Sequence, residues 1–72
     1  MVKLNEKIKN VLEACEIKEF KIDTENSVSF NGVHLVYNTY NEAFIIVDKE
    51  EDEILNFSEN EEEAIEMVNK YK

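Results

Sequence analysis

Ser27-Val28-Ser29-Phe30-Asn31-Gly32-Val33-His34-Leu35-Val36-Tyr37 is the stretch that decides the fold. Asn-Gly tolerates the positive φ angles of a type I′ turn, and apolar residues alternate with polar ones on both sides of it, so the stretch predicts a two-residue β-hairpin. So short a loop leaves one register. Phe30 then faces Val33 and Val28 faces Leu35 on one side, while Ser29 faces His34 and Ser27 faces Val36 on the other.

The same alternation extends in both directions. Ala43-Phe44-Ile45-Ile46-Val47 is apolar and largely β-branched, and Ile54-Leu55-Asn56-Phe57 follows after the charged turn Lys49 to Asp52. Pairing Tyr37 with Phe44 puts Tyr40-Asn41 at the turn. Pairing Asp48 with Glu53 aligns Ile46 with Leu55 and Phe44 with Phe57. One face thereby collects Val28, Phe30, Val33, Leu35, Tyr37, Phe44, Ile46, Leu55 and Phe57 as a core. Upstream, Phe20 and Ile22 alternate with Glu19 and Lys21 before the turn formers Asp23 to Asn26, which reads as a further short strand.

The flanks change period. Leu4, Ile8, Val11, Leu12 and Cys15 fall on one stripe of an α-helix that starts at Val2 or Asn5 and ends at Cys15. Ser58-Glu59-Asn60-Glu61 has the spacing of a capping box and opens a second helix, which buries Ala64, Ile65, Val68 and Tyr71 with Met67 at the margin. The expected fold is therefore α+β: an antiparallel β-meander of four to five strands, with an N-terminal and a C-terminal helix packed on one face in two layers. Residues 1–72 form a single domain. The double-stranded RNA-binding domain shares this order, but that family sets lysines at the start of its second helix to meet phosphates. This chain sets Glu59, Glu61, Glu62 and Glu63 there, so the shared order implies no membership.

Composition limits the function. A chain of 72 residues can bury only about 60% of its unfolded surface, which leaves little room to enclose a substrate. Its hydrophobic content of 43% nevertheless argues for a packed core. One cysteine, Cys15, permits no internal disulfide, and no apolar run resembles a signal core or a membrane span, so a cytoplasmic protein is expected. Arg, Pro and Trp are absent, a bias associated with AT-rich coding sequences such as those of low-GC bacteria and their phages.

The formal charge of −9 is local: residues 48–66 hold ten carboxylates and one lysine, whereas the remainder balances seven acids against seven lysines. Such a patch repels nucleic acid and anionic membrane and favours a basic partner protein. The candidate partner-binding residues are Asp48, Glu50, Glu51, Asp52, Glu53, Glu59, Glu62, Glu63 and Glu66. Among them Glu59, Glu62, Glu63 and Glu66 have the spacing of one helical ridge, which imitates the charge spacing of a nucleic-acid backbone. The second candidate surface is the sheet face turned away from the helices, where His34, Val36, Ile45, Val47 and Ile54 cluster; an apolar patch there suits a homodimer or oligomer interface.

Other chemistries lack their residues. Asp48, Glu50, Asp52 and Glu59 imitate an EF-hand loop, but Glu53 replaces the glycine of the sharp turn. Cys15 lies on a buried stripe, no carboxylate is placed by local pattern to orient His34, and the only glycine is Gly32, so no catalytic, metal or cofactor site is expected. The sequence predicts a small acidic protein-interaction module, a regulator or inhibitor that binds a basic partner. The alternative is a structural homo-oligomer joined through the apolar sheet face.

Overall fold

The computed structural model describes residues 3–72, so a helix start at Val2 lies outside the described residues. Helix α1 (Glu6–Ala14) precedes strands β1 (Lys21–Thr24), β2 (Ser27–Phe30), β3 (Val33–Asn38), β4 (Ala43–Asp48) and β5 (Ile54–Ser58), and helix α2 (Glu61–Asn69) closes the chain. The five strands form one antiparallel sheet in sequence order.

Both ends of α1 are fixed by backbone chemistry. The Asn5 side chain accepts from the Lys7 N–H at 2.7 Å, satisfying a donor that the first turn leaves free, and its amide donates to Asn26 Oδ1 at 2.9 Å. At the other end Glu16 takes φ 56°, its N–H reaching Glu13 O at 3.1 Å, while the Ile17 N–H reaches Leu12 O at 2.9 Å. This pair of bonds is a Schellman closure, with Glu16 where glycine is usual.

The central hairpin is as the sequence predicts. Asn31 has φ 45° and Gly32 φ 80°, and Phe30 pairs with Val33 and Val28 with Leu35. Tyr37 pairs with Phe44, their rings 5.0 Å apart in a tilted contact. Both helices cover this face: Ile8 and Val11 from α1 and Ala64 and Val68 from α2 are fully buried with Val28, Leu35 and Ile46.

Three boundaries differ from expectation. The first strand is Lys21–Thr24, not Phe20–Ile22, and its register shifts between Ile22 and Thr24 so that Asp23 bulges. The second helix is capped by Asn60, whose side chain accepts from the Glu63 N–H at 2.8 Å, because Ser58 still belongs to β5. Met67 is buried on that helix and Tyr71 only half-buried.

The third difference reshapes the surface. Val47 pairs with Ile54 but Ile46 pairs with Asn56, so Leu55 is an extra residue in β5, and beyond it Ile45 faces Phe57 and Phe44 faces Ser58. One inserted residue exchanges the faces of everything after it. Phe57, expected in the core, lies on the open face at 63% exposure, and Leu55 is 41% exposed. The buried Ser58 takes the core place, donating to Asn60 O at 2.9 Å.

Candidate functional site

The open sheet face is built in cross-strand rows. One row runs Lys21, Ser29, His34, Val47, Ile54, and the next runs Ser27, Val36, Ile45, Phe57. The face is thus polar toward β1 and apolar toward β5.

In the polar half, the bulge in β1 carries the Asp23 carboxylate over Ser29. The Ser29 hydroxyl donates to Asp23 Oδ2, and His34 Nδ1 lies 2.9 Å from Ser29 Oγ and 3.0 Å from Asp23 Oδ2. A carboxylate does therefore orient His34, contrary to the sequence expectation, which had no sign of the bulge. The hydrogen bond from Ser29, followed by those of His34 and the charges of His34 and Lys21, holds the Asp23 carboxyl below its ordinary range against partial burial. Serine and aspartate converge on the same ring nitrogen. A proton relay needs them on opposite nitrogens, so this trio ties β1 to β2 and β3 without presenting an activated hydroxyl.

In the apolar half, Val36, Ile45 and Val47 are half-buried beside one another, as the sequence placed them, and Ile54 stands 63% exposed next to Val47. Phe57 joins them through the bulge, a residue that the sequence assigned to the core. Its only forewarning was Asn56, a poor strand former within an apolar run. Ala43, Ile45, Ile54 and Phe57 line a shallow open depression of about 410 Å³ together with Asn41 and Glu59.

The acidic residues frame this half. Glu53 and Glu59 stand immediately before and after β5. Glu50, Glu51, Asp52 and Glu53 are exposed in the turn from β4, where half-buried Asp48 accepts from the Glu50 N–H at 2.9 Å. Glu62, Glu63 and Glu66 are exposed on α2, but Glu59 precedes the helix, so the ridge of four expected from spacing is a ridge of three with Glu59 on the bend beside it. Glu63 is held near the Ser58 hydroxyl at 3.3 Å. The carboxylates do not converge: among the described residues no group of three or more His, Cys, Asp or Glu is placed to hold a metal ion.

Two features lie elsewhere. Cys15 is buried and its Sγ donates to Ile65 O at 3.4 Å; burial pushes the thiol pKa up and so keeps it protonated, against a smaller opposing pull from the Lys72 ammonium. A groove of about 440 Å³ between α1 and β1 is lined by Leu4, Leu12, Ile17, Phe20 and Ile22 with Lys3, Lys9 and Glu13 at its rim. Among the described residues no helix is long and apolar enough to cross a membrane.

No protein-family model matches the chain, and no significant match to a curated protein or to a solved structure is found. The functional reading therefore rests on its own surface.

Proposed function

We propose that this chain is a small acidic protein-interaction module of the cytoplasm, acting as a regulator or inhibitor by binding a basic partner protein over strands β4 and β5. One observation carries the reading: Ile54 and Phe57, each 63% exposed, line an apolar depression that also contains Glu59. An exposed aromatic beside a carboxylate suits a partner that offers an apolar side chain flanked by lysine or arginine. The surrounding carboxylates would accelerate encounter and reject acidic competitors. Binding of this kind requires no catalytic group, and we propose none.

The homo-oligomer reading is weaker on the same surface. Two copies joined across this face would each bring Glu53 and Glu59 toward the other's carboxylates, a like-charge arrangement that costs affinity. The partner reading is tested by capture from the native cytosol with wild-type protein and with Ile54→Ser/Phe57→Ser and Glu53→Gln/Glu59→Gln variants. A partner retained at low salt, released at about 0.5 M salt and lost by both variants supports it. Retention by both variants contradicts it.

A further inference from the structure

The same surface constrains the shape of what binds, and this inference rests on the binding reading above. Extended peptides commonly attach by adding a strand to a free sheet edge, and β5 is such an edge. Here that edge is blunted. Leu55 interrupts the ladder with a bulge, and the Phe57 N–H is occupied by Asn56 Oδ1 at 2.9 Å. What remains open at β5 is the face, whose apolar half spans β3, β4 and β5, while the other edge, β1, borders the polar half.

Three neighbouring strands cover about 10 Å, since strands lie roughly 4.8 Å apart, and a helix with its side chains is about 10–12 Å across. Ile54 pairs with Val47 and Phe57 with Ile45, so across the bulge the two stand two ladder positions apart, about 6.6 Å at 3.3 Å per residue. Two apolar side chains four residues apart on a helix span about 6 Å at 1.5 Å per residue. From Glu53, bonded to Asp48, to Ser58, paired with Phe44, the strand covers four ladder positions or about 13 Å, the length of roughly nine helical residues, with Glu59 on the bend just beyond. We infer that the partner presents a basic amphipathic α-helix of about 9–14 residues. It lies along β5 with apolar residues four apart against Ile54 and Phe57, and with lysines or arginines at its ends against Glu53 and Glu59.

Charge complementarity selects this occupant over a second copy. Helix α1 is amphipathic, but its exposed residues mix Glu6 and Glu13 with Lys7 and Lys9, and the exposed residues of α2 include Glu62, Glu63 and Glu66. Neither is a basic helix.

The test titrates ¹⁵N-labelled full-length protein with three synthetic peptides at low salt. The first is an 18-residue leucine–lysine peptide with its leucines on one helical face. The second has the same composition with leucines distributed around the helix. The third is the first peptide with two central prolines. The inference expects the first to bind at least tenfold tighter than the others, with amide shifts at Ala43, Ile45, Ile54 and Phe57. It expects about a tenfold loss with Phe57→Ser and a smaller loss with Glu59→Gln. Equal affinity for the first two peptides overturns the helix while leaving an acidic binding surface in place. Failure of all three to bind overturns both readings. A free protein that is dimeric, with dilution shifts on these same amides, assigns the face to a second copy and also overturns the inference.

Discussion

Asp23 sits where β1 bulges, and its carboxylate accepts from the Ser29 hydroxyl and contacts His34 Nδ1. Because its folded pKa is lowered, Asp23 stabilises the fold at pH values above its unfolded pKa of about 3.9, and that contribution is lost as pH falls through the folded value. Wild type should therefore exceed Asp23→Asn in stability near neutrality and converge with it in acid, as read by urea unfolding from pH 2 to pH 7. Parallel curves for the two would show that Asp23 gains nothing from its neighbours. Glu16 offers a change in the other direction. A side chain at φ 56° costs about 1 kcal/mol relative to glycine, so Glu16→Gly should raise the unfolding free energy by about that amount. A lower urea midpoint would contradict the assignment of this strain. Neither residue announced its role: Asp23 reads as a turn former beside Thr24 and Asn26, and Glu16 as one more surface acid.

At the scale of elements, the difference lies between a turn that fixes register and a strand that slips. Asn31-Gly32 was legible because two residues with positive φ admit few side chains, and the register of β2, β3 and β4 follows from it. The five residues 49–53 between β4 and β5 impose no comparable constraint, and Leu55-Asn56-Phe57 satisfies alternation in either register. On the covered face buried Ser58 stands where alternation puts Phe57, and α2, which packs on β5, adds the buried Ala64, Met67 and Val68 to the core. Deleting Leu55 would restore the register that alternation suggests and force Phe57 under α2. Such overpacking should destabilise the protein by about 1–3 kcal/mol in thermal or urea unfolding. An unchanged stability would show that the core tolerates Phe57. At the start of α2, Asn60→Ala should cost about 1 kcal/mol through loss of the cap on Glu63 N–H, and a neutral result would restore Ser58 as the effective cap.

For the whole molecule, the sheet has a filled face and an open one, and the acids border the open face at β5. The acidic stretch and the apolar cluster of Val36, Ile45, Val47 and Ile54 were both legible, the first from composition and the second from alternation. Their meeting was not, because it depends on a bulge that moves Phe57 outward and on a bend that sets Glu59 beside it. Phe57 is exposed and stands outside the core, and on the proposed reading it belongs to the surface that binds. The total stability of a 72-residue domain is roughly 4–10 kcal/mol, so a charge placed in the core would unfold it, whereas exposed positions usually change stability by within about 0.5 kcal/mol. The most direct measurement takes Phe57→Asp through thermal unfolding and partner capture side by side. Phe57→Asp should melt within about 4 °C of wild type and lose the basic partner. A collapse of the midpoint, or full retention of the partner, would contradict that reading.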